Sequence, residues 1–137
     1  MLKCLRWKKA SLNILLVNDR RIRHLNRRYL NHDRPTDVMA FGQLEGPRPK
    51  PKGVMPFLGD IVISLDTTRR QAKIYGNSFL YELCFYLCHG LLHIMGYRDK
   101  SKSEAKRMER MQTKILKTIG LRSASLKRTR AQEKKLT

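Results

Sequence analysis

The sequence predicts an α+β fold, in which a small mixed β-sheet is packed with helices and a central helix lines a cleft. Two short runs rich in leucine and β-branched residues, at 12–17 and 58–65, have the length and composition of strands. Longer segments carry apolar residues at three- and four-residue steps, as helices do, and the most apolar of them spans residues 78–96. With 137 residues, 41% of them hydrophobic, the chain is long enough to bury one core.

The N-terminal part is predicted to begin with a buried strand. Residues 1–10 are short, basic and ambiguous, and Trp7 is the residue there expected to pack on the body. The run LNILLV at 12–17 then reads as a buried strand. Asp19 follows it, and its short acidic side chain is a good cap for a helix.

The helix after Asp19 has two contrasting faces. Its apolar face consists of Ile22, Leu25 and Tyr29, which are expected to pack on the core. Five arginines occupy the other face, namely Arg20, Arg21, Arg23, Arg27 and Arg28. Such a run is either an ordinary solvated face or a phosphate-binding surface, and the sequence gives the two interpretations equal weight.

Two further strands are predicted on either side of a loop. A turn at Pro35 holds the preceding residue extended. A strand is predicted to follow from about Asp37. Residues 42–58 hold four of the five prolines and three glycines, which is typical of a surface loop. The run LGDIVISL at 58–65 is the next strand.

Two more helices complete the predicted elements. Asp66 can cap a helix that is ended by Gly76. Ser101 and Glu104 have the spacing of a capping box at the start of the last helix. The stripe of that helix expected to be buried, with Gly120 as its stop, comprises Met108, Met111, Ile115 and Ile119.

Charge is the unusual feature of the composition. Thirty Lys and Arg against eleven Asp and Glu give a net charge of +19, which favours a polyanionic partner such as RNA, DNA or an anionic membrane. No 18-residue apolar run or secretory leader pattern occurs, and the three cysteines lack paired spacing. We therefore expect a cytoplasmic protein without a membrane span, with one domain over residues 1–120 and a basic, disordered tail over 121–137.

The segment SFLYELCFYLCHGLLHIMGYRD, residues 78–99, is the central helix of the prediction. Ser78 can cap its start and Gly96 can close its end. One stripe is apolar and is expected to form core, namely Leu80, Leu83, Leu87, Leu91 and Met95. A neighbouring stripe at the same spacing carries Glu82, Tyr86, His89 and His93, so that both imidazoles point the same way from consecutive turns.

The two imidazoles of this helix suit one shared cation. Gly96 allows a left-handed turn, through which the chain can double back, and Asp99 is the first carboxylate after that turn. Two histidines and a carboxylate form a catalytic zinc set that leaves a fourth position for water. The alternative is that His89 and His93 are simply buried, hydrogen-bonded core residues. Gly90 stands where an H-E-x-x-H peptidase has its glutamate.

Cys84 and Cys88 also lie four residues apart on this helix. They share the stripe of Leu80 and Leu91, and this position indicates small buried hydrophobic residues rather than metal ligands.

The motif at these positions resembles the signature of the YbeY family, whose members are bacterial rRNA maturation factors described as zinc-dependent endoribonucleases. The matching residues of the helix and its turn are His89, Gly90, Leu92, His93, Gly96 and Tyr97. A second matching segment comprises Pro35, Thr36, Asp37, Val38 and Phe41. The resemblance covers roughly residues 12–120 and implies a zincin-like fold with one Zn²⁺ per chain, held here by His89, His93 and Asp99.

Several positions depart from the family pattern. The third ligand of the family is usually a histidine, and Asp99 stands in its place. An arginine that usually follows the tyrosine is Leu30, and the usual serine before the phenylalanine is Ala40. Family members usually carry a strand and a helix before the first strand found here, so we expect a shortened N-terminus. Arg98 and Arg34 are the candidates for stabilising charge on a phosphate.

The resemblance implies a single-strand-specific, zinc-dependent endoribonuclease that acts in small-subunit rRNA processing and ribosome biogenesis, with rRNA bound through the basic surface. The main alternative is a non-catalytic rRNA-binding assembly factor with a structural metal, which the changes at Asp99 and Leu30 favour. A metallopeptidase rests only on the two histidines. An iron oxygenase is supported by the ligand types alone.

Overall fold

A computed structural model of the chain describes residues 1–5, 10–30, 38–42 and 56–123. In this part of the chain a short 3₁₀ helix at Leu2–Leu5 precedes three strands and four α-helices. The elements are β1 (Ser11–Val17), α1 (Asp19–Leu30), β2 (Val38–Gly42), β3 (Phe57–Ser64), α2 (Leu65–Tyr75), α3 (Phe79–Ile94) and α4 (Lys102–Thr118). The predicted α+β class is confirmed.

The three strands form one mixed sheet in the order β1-β3-β2. β1 runs parallel to β3, and β2 runs antiparallel to it, so Ile61 of β3 lies between Ile14 and Ala40. Gly59 has a φ of 147°, and a Cβ there would collide with the Phe41 carbonyl oxygen. Only glycine therefore allows β2 to approach β3 this closely.

Helices cover the sheet on two sides. On one side α1 packs through Ile22 against Met39 and Val62, which form a small separate cluster. On the other side α3 packs against the main core, which contains Ile61 and Ile63. α3 also contacts α2, α4 and β2, which makes it the central helix of the described residues, as the sequence predicts.

The first strand differs from its prediction. β1 forms as expected but is not buried, because Ile14, Leu15 and Leu16 are each nearly half exposed. The reason is that β1 lies at the edge of the sheet, where β3 is its one partner among the described strands. An apolar cavity of about 430 Å³ lies beside it, lined by Met1, Leu2, Lys3, Leu12, Ile14, Leu87 and Leu91.

The buried face of α3 is also rotated from the predicted one. Leu80, expected in the core, is 57% exposed, whereas Glu82 and Tyr86 are fully buried. The sheet, α2 and α4 pack on the side of the helix that carries the histidines, and that side therefore becomes the most deeply buried. The rest of the predicted stripe is wholly or partly buried against the main core, namely Leu83, Leu87, Leu91 and Met95.

Similar errors affect the ends of two other helices. Tyr29 of α1 is 59% exposed and lies against Phe41, with ring centroids 6.0 Å apart, while Asn26 is buried in its place. Ile119 follows the last residue of α4 and is exposed. On α4 the buried positions Gln112 and Leu116 were not predicted, whereas Met108 and Ile115 are buried as expected.

Two predicted N-caps are wrong by one or two residues. The Oδ1 of Asn18, not Asp19, accepts the Arg21 amide hydrogen at 2.8 Å. The Oγ of Ser64, not the carboxylate of Asp66, accepts the Thr67 amide hydrogen at 3.2 Å. Ser64, which ends β3, already has the extended backbone that a cap requires.

The remaining caps are confirmed. Ser78 accepts the Tyr81 amide hydrogen at 3.0 Å, and Ser101 accepts that of Glu104 at 3.2 Å. The predicted stop glycines at 76, 96 and 120 all have positive φ values. No helix in the described ranges is long and apolar enough to cross a membrane.

Several predictions fall on residues that the structure does not describe. They concern Trp7, the turn at Pro35, the start of the strand at Asp37, most of the loop at 42–58 and the tail beyond residue 123. The division into a domain at 1–120 and a tail at 121–137 stays a prediction.

Candidate metal centre

The two histidines of α3 meet at its C-terminal end. His89 is buried and His93 is half-buried, one turn further along the same side of the helix. Their Nε2 atoms are 2.9 Å apart, with the ring planes at 78°. Two nitrogen lone pairs repel each other at this distance, so a proton or a metal cation must lie between them.

A tight turn brings a carboxylate to the same place. Gly96, with a φ of 97°, donates its amide hydrogen to the His93 carbonyl, and Tyr97 donates to that of Leu92, both at 3.0 Å. The chain thereby reverses, and Asp99 Oδ2 lies 3.9 Å from His93 Nε2. Ligand atoms of His89, His93 and Asp99 all lie within 4.8 Å of one another. The structure thus brings together the three residues expected from the sequence.

The imidazole of His93 is oriented by the turn. Its Nδ1 lies 3.0 Å from the carbonyl oxygen of Tyr97, which can only accept a hydrogen bond. The proton of the neutral ring is therefore on Nδ1, and the lone pair of Nε2 points toward His89 and Asp99.

The imidazole of His89 contacts one side chain of its own helix and one of α4. Phe85, one turn earlier in α3, stacks on it with ring centroids 6.4 Å apart and planes at 18°. Its Nδ1 lies 3.3 Å from the side-chain nitrogen of Gln112 on α4. Gly90 is close to the sheet, since a Cβ there would lie 3.1 Å from Ile61 Cγ2. The lack of a Cβ at Gly90 therefore allows this turn of α3 to lie close to the sheet.

The donor set fits a divalent metal ion. Tetrahedral zinc with bonds of about 2.0–2.1 Å to nitrogen requires ligand atoms about 3.3 Å apart. The separations of 2.9 Å between the imidazoles and 3.9 Å between His93 and Asp99 lie on either side of this value, and all three ligand atoms lie within 4.8 Å of one another. Two imidazoles and one carboxylate also leave a coordination position for water. In the described residues this is the one group of three His, Cys, Asp or Glu side chains placed to hold a metal.

The cysteines of α3 are not part of this group. Burial raises the pKa of Cys88 to about 12 and also raises that of Cys84. Both thiols are free, Cys88 is buried and Cys84 is half-buried. Protonated thiols are poor ligands, which agrees with their prediction as apolar packing residues.

A small cavity of about 200 Å³ lies along the turn after α3. Its lining comprises Met95, Gly96, Tyr97, Arg98, Glu104 and Arg107. Arg98, a predicted phosphate-binding residue, is exposed here between Tyr97 and Asp99. Arg34, the other candidate, lies outside the described residues.

Sequence reasoning missed three contributors to this region. Gln112 is a polar residue among the apolar ones of the α4 stripe, and that irregularity was a usable signal. Arg107 places its guanidinium carbon 5.5 Å from the Tyr97 ring centre and so joins Arg98 at the cavity. The Tyr97 carbonyl acts through the backbone, and side-chain patterns carry no signal for it.

Comparison with known proteins finds relatives whose sequences align with most of this chain. The family model described as Endoribonuclease YbeY matches residues 2–120. A protein of that name from an Anaeromyxobacter species is 44% identical over 118 residues, which cover 86% of this chain and 59% of the relative. The corresponding Myxococcus xanthus protein is 44% identical over 117 residues, or 85% of this chain and 39% of the relative.

Other relatives extend the same match. Endoribonuclease YbeY of Halalkalibacterium halodurans is 41% identical over 116 residues, covering 81% of this chain and 73% of that protein. The solution structure of TM1509 from Thermotoga maritima superposes with a TM-score of 0.54 at 25% identity, covering 93% of this chain and 86% of that one. The chain spans less than two thirds of the length of the first two relatives. The match over residues 2–120 shows that it belongs to the endoribonuclease YbeY family.

Proposed function

We propose that this protein is a metal-dependent, single-strand-specific endoribonuclease that acts in the maturation of small-subunit rRNA and in ribosome biogenesis. The observation that carries the proposal is the convergence of His89, His93 and Asp99 at the end of α3. Relatives that share about 40% identity are named endoribonucleases. The net charge of +19 suits an RNA substrate.

One Zn²⁺ per chain is the proposed cofactor, held by His89, His93 and Asp99. When bound, such an ion polarises a phosphate oxygen and acidifies a coordinated water. The chain supplies the orientation, because the Tyr97 carbonyl directs the Nε2 lone pair of His93 into the site. Asp99 brings a negative charge where the family usually has a neutral imidazole, and this also makes Mn²⁺ and Fe²⁺ stronger competitors for the site.

Arginines beside the turn are proposed to contact the substrate. Arg98 directly precedes Asp99 in the chain and is exposed, which suits contact with a phosphate next to the metal. Its role would be to stabilise the negative charge that develops on the scissile phosphate. Arg107 at the same cavity extends this positive surface. Arg34 keeps the same proposed role on sequence grounds.

The arginine face of α1 is the proposed path of the bound RNA strand. All five arginines predicted on that face are exposed. Arg28 lies 5.6 Å from the ring centre of Tyr29, itself well exposed, and an aromatic ring beside an arginine suits base stacking. Tyr29 contacts Phe41, and the next residue, Gly42, packs beside Ile94, the neighbour of His93. An RNA strand that crosses the end of β2 would therefore run from α1 toward the metal centre.

The proposed setting is the cytoplasm, as expected from the sequence. The three free cysteines support a reducing compartment.

Cleavage of defined RNAs tests the proposal. The zinc-loaded protein should cut a single-stranded RNA faster than the same sequence in a duplex, and His93→Ala should lose this activity while retaining RNA affinity. Thr113→Ala is the control, because Thr113 is exposed on α4 and belongs neither to the metal centre nor to the arginine face of α1. Equal cleavage by the parent and His93→Ala would exclude the proposed site.

The RNA surface has its own test. Binding to single-stranded RNA should weaken with salt, with a loss of about 0.7 in log affinity per tenfold salt for each phosphate contacted. Changing both Arg27 and Arg28 to Ala should therefore reduce the slope by about 1.4. Steep salt dependence without any cleavage at any metal loading would favour the binding-factor alternative over the nuclease.

A further inference from the structure

Gln112 is a polar side chain on the buried face of α4. It is only 6% exposed and shares that face with Met108, Ile115 and Leu116. A buried amide is costly unless it is hydrogen-bonded. Its side-chain nitrogen lies 3.3 Å from Nδ1 of His89, which belongs to a different helix and lies 23 residues earlier in the chain.

The observed contacts form one continuous chain of donors and acceptors. The Gln112 amide nitrogen can only donate, so it donates to Nδ1 of His89. The proton of the neutral His89 ring is then on Nε2, from which it is donated to Nε2 of His93 at 2.9 Å. His93 in turn donates from Nδ1 to the Tyr97 carbonyl. Each contact in this hydrogen-bonded series then has one donor and one acceptor, with both imidazoles neutral.

Metal binding is incompatible with the position of the proton on His89. His93 already presents the lone pair of its Nε2, whereas His89 carries a proton on its own Nε2. To act as a ligand, His89 must transfer the proton to Nδ1, where it needs an acceptor. Gln112 can provide one, because rotating its amide by half a turn replaces the nitrogen with the oxygen. No proton is gained or lost by the protein in this exchange.

We infer that Gln112 is a positioning residue for metal binding, and that its amide rotates when the metal enters, so that its oxygen accepts the Nδ1 hydrogen of His89. This inference rests on the metal site of the proposed function. It adds a residue on α4 that sets the tautomer of a ligand on α3, and thereby couples metal binding to the packing of these two helices.

Zinc affinity of Gln112 variants is the first test, measured by competition with a chromophoric chelator. Gln112→Met keeps the size of the side chain but removes the acceptor, and should weaken zinc binding about 10–100-fold. Gln112→Glu offers only acceptor oxygens and should bind zinc at least as tightly as the parent. Met108→Ala is the control, because it leaves a cavity on the same buried face one turn away without changing the amide. Its zinc affinity should equal that of the parent.

The tautomer of His89 is the second readout, observed through the ¹⁵N shifts of its ring in the parent protein. Without metal the proton should be on Nε2, and with zinc it should be on Nδ1. A purely structural role for Gln112 would not produce this switch. The measurement on the parent also stands if Gln112→Met fails to fold.

Four outcomes would overturn the inference in different ways. Zinc affinity of Gln112→Met within about twofold of the parent, or an equal loss in Met108→Ala, would remove the positioning role and leave the metal site intact. A His89 tautomer that is the same with and without zinc would exclude the rotation. A parent that binds no zinc would instead refute the metal site of the proposed function, and the inference with it.

Discussion

Two clusters of converging polar side chains differ in whether the described residues supply a lysine or arginine for the carboxylate. The Asp19 cluster, formed by Asp19, Ser64, Thr67 and Arg70, joins the start of α1 to the start of α2. Asp19 Oδ1 accepts hydrogen bonds from Ser64 at 2.6 Å and Thr67 at 2.7 Å, and Arg70 lies 2.7 Å from Oδ2. The carboxylate has its donors and its cation supplied by the chain.

The metal centre lacks such a cation of its own among the described residues. Ligand atoms of His89, His93 and Asp99 converge on one point, and no lysine or arginine of the described residues forms an ion pair with Asp99. The two clusters look alike in a sequence, because each combines acidic and polar residues beside a helix end. The difference is that the carboxylate of the Asp19 cluster is paired with a cation of the chain, whereas the carboxylate of the metal centre has no lysine or arginine partner among the described residues.

Among the changes that test this difference, removing a metal ligand should have the largest effect, which is on zinc binding. His93→Ala takes away one of three protein donors and should lower zinc affinity by more than the roughly 10–100-fold typical of losing a supporting contact. Zinc content by mass spectrometry should fall from about one per chain to near zero. His24→Ala should retain the full content. Unchanged zinc in His93→Ala would mean that the metal, if any, is bound elsewhere.

Changes at Asp99 should have an intermediate effect and sharpen the role of the third donor. Asp99→Ala should weaken zinc binding by about 10–100-fold, and Asp99→His should restore or exceed the parent affinity by supplying the imidazole typical of the family. Asp66→Ala is the control, since that carboxylate pairs with Arg69 on the surface. A parental affinity in Asp99→Ala would reduce the site to its two histidines.

Asp19 should affect stability and leave the metal unaffected. Burial raises the pKa of Asp19, but hydrogen bonds from Arg70, Ser64 and Thr67 outweigh it and hold the pKa below its ordinary value of 3.8. Asp19→Asn leaves several of these donors poorly paired and should cost about 1–2 kcal/mol in urea unfolding at pH 7, with zinc affinity unchanged. Glu109→Gln, at an exposed position of α4, should cost nothing measurable.

The pH dependence of the Asp19 contribution follows from the direction of its pKa shift. A lowered folded-state pKa means that the stabilisation is fully present above the ordinary value of 3.8 and is lost as pH falls through the lower folded value. The difference in unfolding free energy between the parent and Asp19→Asn should therefore shrink below about pH 4. A difference that stays constant down to pH 2 would contradict the ionised state of this joint.

The smallest effects are expected from two adjacent arginines. Arg70→Ala removes the cation of the Asp19 cluster and should cost about 1 kcal/mol. Arg69→Ala breaks only an exposed ion pair with Asp66 at 3.6 Å and should change stability by less than about 0.5 kcal/mol. Thermal unfolding of both variants measures the difference. Equal costs would show that the Asp19 cluster is no better ordered than the surface.

Local signals in the sequence were sufficient for most elements. The serine caps at 78 and 101 and the stop glycines act within a few residues, so short patterns predict them well. The three candidate ligands also lie within one stretch of the chain, from residue 89 to residue 99, and a helix period plus one glycine turn places them together.

The errors arose where distant parts of the chain decide the outcome. Leu80 and Tyr86 are both apolar residues of α3, and only the positions of the sheet, α2 and α4 determine that Tyr86 is buried and Leu80 exposed. Leu15 has the composition of a buried strand residue but lies on an edge strand. Gln112 contacts His89 from another helix, a pairing that no local pattern contains.

The exposed leucine and isoleucine side chains of β1 make handling of the protein depend on ionic strength. An apolar edge strand without charged residues tends to pair with another copy, and the net charge of +19 opposes such contacts by repulsion. Salt shortens the range of that repulsion from about 10 Å at 0.1 M to about 3 Å at 1 M. High-salt washes that strip nucleic acid from the protein should therefore also promote its precipitation, and a low-salt buffer should keep it dispersed.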